Sequence, residues 1–334
     1  MYTSKDIGIV IPTYNRAEDV DKTLSFLLEN DNIPAGIYVV DQSPNDKTRQ
    51  VVENAKKSFD NINFIKCKIA STAKASNIGI EKAKKKHKIV LMLDDDVDCF
   101  PGFLDGLLGE FNSNNKIYGV AAWGPGNELK NYSHFLRFIQ KIILNFFLLP
   151  SKINNKFMVL GPYGNTGSYI RKQRISDAQW LPGVNMCYRR EVFEDYKIPE
   201  SKGYNLLQDI DVSYHTFRKY GKGSLVITDK AEVRHRGSQV ERYPNSKLAF
   251  VSQEDRFIFY YRYFHNFPGT LKLIWSIFGL ILLKSLSFIF KPNKKNFLDL
   301  KYFISSLSYN IKNRENIKKG EYRLFLDNDY NLSI

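Results

Sequence analysis

The chain has 334 residues, with 49 basic and 35 acidic side chains, a formal net charge of +14 and 43% hydrophobic residues. That apolar fraction excludes a wholly disordered chain, and the length suits one large domain or two smaller ones. The positive excess points to an anionic partner, whether nucleic acid, an acidic membrane surface or a phosphorylated small molecule. Three cysteines, Cys67, Cys99 and Cys187, lack metal-ligand spacing and argue against a disulfide framework or structural zinc. The opening MYTSKDIGIVIPTYNR carries Asp6 where a leader's apolar core would lie, so no secretion signal is expected and a reducing cytoplasm is the expected compartment.

In chain order, the first 123 residues alternate β-branched runs with helical stretches. Ile7 to Ile11, Ile37 to Val40, Ile62 to Ile65, Ile89 to Leu93 and Tyr118 to Trp123 read as strands. Ala17 to Glu29, Lys47 to Phe59 and Ala73 to Lys85 read as the helices between them, the first with Val20, Leu24, Leu27 and Leu28 on one face. This alternation predicts an α/β layer structure with parallel strand pairing, whose ligands sit at the carboxyl ends of the strands. Between Asn127 and Gln179 the pattern breaks, and Phe135 to Leu149 reads as an amphipathic helix with a broad apolar face. A second α/β stretch follows: strand Val184 to Tyr188, short helix Arg189 to Tyr196, helix Asp209 to Tyr220 closed by Gly221, and strand Leu225 to Thr228. Leu273 to Phe290 then holds 18 residues with one charge, Lys284, and Lys291 to Arg323 carries nine basic and three acidic residues.

Three acidic features fall where such a sheet presents ligands. Asp41 directly follows a strand in VVDQSPND, where its carboxylate can accept hydrogen bonds from a base or ribose, or simply build an Asx turn. In LMLDDDVD, Asp94, Asp95, Asp96 and Asp98 crowd one strand end; such acids repel unless a cation neutralises them, and in extended geometry Asp94 and Asp96 share a face suited to a hard divalent ion. Asp209 opens a helix, as a general base or as an N-cap. His235, on a loop after a strand, carries little weight alone.

The ordered set PTYNR, VVDQSPND, the strand-end DDD, LPGVNMCYRREVF, QDIDVSYHTFRKYG and a late histidine resembles the inverting family-2 glycosyltransferases of GT-A fold, over roughly Ile7 to Ser238. The resemblance implies a Rossmann-like, nucleotide-diphospho-sugar transferase fold of the kind that serves bacterial or archaeal surface-polysaccharide synthesis. It implies nucleotide contacts from Pro12, Tyr14, Arg16, Asp41, Asn77 and Asp94, with Asp96 as the main metal ligand, assisted by His235 and holding Mn2+ or Mg2+. Gly183, Asn185 and Gln208 would shape the donor-sugar and acceptor pocket, and Asp209 would be the catalytic base. The segment Ala75-Ser76-Asn77-Ile78-Gly79 stands where family members commonly carry Ala-Arg-Asn-x-Gly, so an arginine is missing. The base motif, usually Glu-Asp, reads Gln208-Asp209.

The implied organisation is a catalytic domain over 1–240, with a nucleotide-binding half at 1–123, an amphipathic insertion at 124–180 and an acceptor-binding half at 181–240, then a helical membrane-associating region at 241–334. The chemistry fits independently of the family: a divalent ion stabilises the departing diphosphate, and one carboxylate base without a second nucleophile gives inversion. A spanning Leu273–Phe290 helix would put the basic tail outside, against the positive-inside tendency, so an in-plane or re-entrant helix on the cytoplasmic face of the membrane is expected; the alternative is a buried helix packed on the catalytic domain. The expected partners are a nucleotide sugar, UDP being the base the resemblance favours, a lipid-linked glycan acceptor and the inner leaflet. No nucleic-acid-binding motif appears, and a nucleotidyltransferase would need a glycine-rich loop where this chain has PTYNR. A non-catalytic, glycosyltransferase-like membrane scaffold protein is the competing reading, and failure to bind any nucleotide with manganese would favour it.

Overall fold

Both neighbours of the first strand pair with it in parallel, Ile9 lying opposite Ile37 on one side and Leu91 on the other. The computed structural model describes residues 1–29, 33–124, 142–149, 172–200, 206–240 and 245–320. Most of the predicted insertion, including 135–141 of its amphipathic helix, and the tail beyond 320 lie outside the described residues. The chain divides into two units.

The first unit comprises Met1–Gly126, Arg171–Gly203 and Gln208–Arg242. Its sheet runs β3-β2-β1-β4-β7-β6-β8-β5, with β1 Ile7–Thr13, β2 Gly36–Asp41, β3 Ile62–Lys66, β4 Ile89–Leu93, β5 Val97–Cys99, β6 Gly119–Trp123, β7 Asn185–Arg189 and β8 Leu225–His235. β2 and β4 are buried along their whole length, as strands covered by helices on both faces must be. The helices are α1 Ala17–Leu28, α2 Lys47–Ala55, α3 Thr72–Ala83, α4 Phe103–Ser113 and α5 Gln208–Tyr220. α1 buries Val20, Thr23, Leu24 and Leu27, and α3 lies directly on β1, since a Cβ on Gly79 would come within 2.2 Å of Val10 Cγ1. Gly221 ends α5 at φ +83°, a conformation glycine adopts without a Cβ penalty.

Three expectations need correction. The sheet is mixed: β7 runs antiparallel to both β4 and β6. The short helix after β7 is a 3-10 turn, Arg190–Phe193. β8 extends to His235, with a register shift between Ala122 and Trp123 of its partner, so the histidine ends a strand. The reversal of β7 brings its first residue, Asn185, opposite Leu93, the last of β4. Residues 183–185 therefore reach the same sheet edge as the acidic cluster.

The second unit comprises Asn127–Ile170, Tyr204–Leu207 and Tyr243–Ile334. It contains α6 Asn245–Tyr263, α7 Phe267–Phe290, α8 Lys294–Lys312 and α9 Arg314–Lys318. Phe257 and Ile258 of α6 pack with Phe303 and Leu307 of α8, while Tyr260 meets Leu273 of α7 and Phe147. Phe257, Ile258 and Tyr260 thus supply core to this helical unit.

Candidate active site

Asp94, Asp95 and Asp96 form a turn between β4 and β5 rather than continuing the strand, and the turn is what separates their roles. Asp94, Asp96 and His235 each offer one ligand atom, all within 4.8 Å of one another. His235 Nε2 lies 2.9 Å from Asp96 Oδ1, and the Ser238 N–H donates to Asp96 Oδ2 at 2.7 Å. Burial, followed by the charge of Asp96, pushes Asp94 up to about 7. Burial also pushes against ionisation of Asp96, but the hydrogen bond and charge of His235 outweigh it and hold that carboxyl below the usual range. Two carboxylates and an imidazole are a donor set for a divalent ion, the carboxylates matching a hard cation.

Asp95 faces the other way. It accepts from Thr13 Oγ1 at 2.7 Å and from Arg16 Nη1 at 3.1 Å, and burial raises it to about 6 despite the arginine. Arg16 also donates to the Val240 carbonyl, tying the loop after β1 to the segment after β8. Thr23 of α1 accepts the Val97 N–H and donates to the Asp95 carbonyl, so the acidic turn is stapled to the first helix.

Asp209 sits at the start of α5, half-buried. Trp180 Nε1 donates to its Oδ2 at 2.9 Å and the Ile210 N–H to its Oδ1 at 2.8 Å. Burial pushes its carboxyl up to about 6, while these donors and the Gly183 N–H pull it back. The two chemical centres are neighbours through one dipeptide: Gly183 abuts Asp209, and the Val184 carbonyl accepts the Asp94 N–H at 3.1 Å. Gln208, next to Asp209, keeps its Oε1 buried without a hydrogen bond among the described residues.

The remaining predicted residues divide by what they touch. Pro12 lies in β1 opposite Val40, and Tyr14, half-buried, follows the strand. Asp41 is fully buried and accepts from Ser43 and from Lys66 Nζ at 2.9 Å, the Asx-turn arrangement. Asn15 adopts φ +55° and donates its N–H to Ser43 Oγ, locking the loops after β1 and β2 together. A cleft of about 560 Å3 opens there, lined by Arg16, Asn45, Lys47 and Ser238 among others. Both polar ends of the Asn77 amide are engaged by the Ile198 backbone, and the Asn185 side chain bridges to the Ala122 backbone. Trp180, Thr23 and Ser238 were invisible as site residues in the sequence, because each acts through a partner brought in by the fold.

The model of the family described as "Glycosyl transferase family 2" matches residues 8–196. The chain belongs to this family. Poly-beta-1,6-N-acetyl-D-glucosamine synthase of Staphylococcus epidermidis is 27% identical over 137 residues, which is 41% of this chain and 32% of that protein. The match thus spans about a third of the curated relative's length. Among solved structures, residues 1–349 of S. aureus TarS in complex with UDP-GlcNAc superpose with a TM-score of 0.54 at 14% identity, covering 95% of this chain and 88% of that one. The mannosyltransferase PcManGT of Pyrobaculum calidifontis, in complex with GDP-Man and Mn2+, gives 0.51 at 12% identity, covering 92% and 75%. At such identities the likeness shows the GT-A fold alone. The protein is a family-2 glycosyltransferase of that fold, with the apolar helix α7 in its C-terminal extension.

Proposed function

We propose that this glycosyltransferase moves a sugar, with inversion, from a nucleotide diphosphate sugar to a hydroxyl of a lipid-linked glycan acceptor, in a divalent-metal-dependent reaction at the inner face of the membrane. The observation that carries the reading is the adjacency of a three-residue candidate cation site and the half-buried Asp209 carboxylate, joined through Gly183 and Val184. Asp94, Asp96 and His235 would hold the ion, which supplies Lewis-acid stabilisation of the departing diphosphate. Asp209 takes the acceptor hydroxyl proton as the oxygen attacks the anomeric carbon and the bond to the nucleotide diphosphate breaks. Trp180 and the Gly183 and Ile210 amides hold that carboxylate in place. The cleft beside Arg16 and the loops after β1 and β2 gives the nucleotide a flanking surface. The named donors of the structural neighbours, UDP-GlcNAc and GDP-Man, support a nucleotide sugar, and the S. epidermidis synthase supports a surface-polysaccharide role. Purified protein with Mn2+ or Mg2+, offered UDP-, GDP- and dTDP-sugars, is expected to release nucleotide from one donor, faster when membrane lipid extract is added. Absence of nucleotide binding to every donor would overturn the reading in favour of a scaffold.

The membrane part of the proposal rests on the outer face of the helical unit. α7 has 24 residues and is long and apolar enough to cross a bilayer. Its exposed side chains Phe267, Leu271, Ile274, Phe278 and Leu282 recur at helical spacing, and the Trp275 N–H donates to the Phe146 carbonyl, adding exposed Phe146 to the same surface. Lys284, the helix's central charge, turns toward α8 over the Phe303 ring. A spanning α7 would draw Asp299 and Lys301 of the packed α8 into hydrocarbon, whereas an in-plane α7 leaves the α8 lysines for anionic headgroups. Trp275 fluorescence is expected to shift to the blue on vesicles containing phosphatidylglycerol and to be quenched by shallow brominated lipids; unchanged emission on those vesicles would remove the membrane from the proposal.

A further inference from the structure

Along β8 the side chains alternate, and the alternation puts the candidate metal ligand and two arginines on opposite sides of the strand. His235 turns to Asp96, while its neighbours Arg234 and Arg236 both close on Asp98 of β5, which lies directly opposite Arg234 in the antiparallel ladder. Arg234 Nε donates to Asp98 Oδ2 at 2.7 Å, and Arg236 Nη1 donates to Asp98 Oδ1. The Asp98 carboxylate is fully buried between them. Arg236 goes further: its Nη2 donates to the Asp95 carbonyl at 3.2 Å, to Thr23 Oγ1 and to the Asp19 carbonyl, and its backbone N–H donates to the Asp96 carbonyl at 2.9 Å. One buried acid therefore fixes both residues flanking the histidine, and through Arg236 it also braces the backbone that presents Asp94 and Asp96.

We propose that Asp98 is a positioning residue for the metal site: by clamping Arg234 and Arg236 it sets the reach and direction of His235 toward Asp96, without itself touching the ion. The inference rests on the metal-dependent reading of this centre. A carboxylate beneath a ligand histidine ordinarily binds the imidazole itself; here it acts one residue to either side, through the strand, and the energetic consequence is of the same kind. Loss of such an outer partner lowers metal affinity by about 10- to 100-fold.

The test is Mn2+ binding, read from the free-ion electron paramagnetic resonance signal during titration with Mn2+, with and without UDP. Asp98→Asn, matched in size, is expected to weaken Mn2+ binding by about 10- to 100-fold. In a His235→Ala background the same substitution is expected to weaken Mn2+ binding by a clearly smaller factor than in the parent, because the part of its effect that runs through the histidine is gone and only the bracing through Arg236 remains. A general loss of negative charge near the ion would instead add fully in both backgrounds, and that result overturns the proposal. So does a folded Asp98→Asn protein that binds Mn2+ as the parent does. Should Asp98→Asn fail to fold by circular dichroism, Arg234→Gln carries the test, since that side chain is 61% exposed and its removal leaves Arg236 on Asp98. It is expected to weaken Mn2+ binding in the parent and not in His235→Ala, and parent-like affinity overturns the proposal. A parent protein that binds no Mn2+ under either condition sinks the metal reading itself, a failure distinct from that of Asp98.

Discussion

Asp209→Asn is expected to lower turnover by about 100- to 10,000-fold while nucleotide binding in the presence of Mn2+ persists. An amide cannot take the acceptor's proton, and its single oxygen keeps one of the two donors, Trp180 or the Ile210 N–H, that hold the carboxylate. For a general base the ionised carboxylate would be the working form, and burial pushes its pKa up to about 6. With the ion saturating, kcat/KM for the acceptor is therefore expected to climb about tenfold per pH unit below 6 and to level off above it. A purified variant that retains substantial turnover, or a parent profile flat from pH 4.5 to 7, would return Asp209 to the role of a helix cap.

Asp96→Asn is the second large effect. It removes a charged member of the cation site and the partner of His235, leaving Ser238 and the imidazole facing a neutral amide. Transfer is expected to fall by about 1,000-fold, the equivalent of several kcal/mol of leaving-group stabilisation, and added Mn2+ is expected not to restore it. Calorimetric titration of UDP should also lose its dependence on Mn2+. A variant whose activity still rises with Mn2+ would place the ion elsewhere.

Much of the first unit was legible because buried strands in an α/β layer are near-continuous apolar runs, and Ile89–Leu93 matches its predicted bounds residue for residue. Strand direction was not legible: the run at 184–188 looks the same whether it enters the sheet parallel or reversed, and only the pairing of Asn185 with Leu93 reveals it. β5 was hidden because it is three residues long and begins within the acidic cluster. α4 carries Phe103, Leu104, Leu107, Leu108 and Phe111 at helical spacing, but Gly106 and Gly109 interrupt it and the preceding Pro-Gly reads as a turn. Within the acidic triplet, residue type could not separate Asp95 from its neighbours; the turn does so by pointing it at Thr13 and Arg16. The sequence places Asp209 at a helix start, as base or N-cap, but could not show its indole partner, since Trp180 lies 29 residues away and nothing local links them.

The strand β8 has a consequence for where this protein can be cut. It pairs on one side with β6 and on the other with β5, and it lies wholly beyond residue 196, where the family match ends. A fragment ending there would forfeit more than Asp209 and His235. Two sheet edges would stand open to intermolecular pairing, the buried Asp98 would lose both its cations, and Glu110 would lose the hydroxyl of Thr228. The end of the family match is therefore not an autonomous folding boundary, and expression of residues 8–196 alone is expected to yield aggregate.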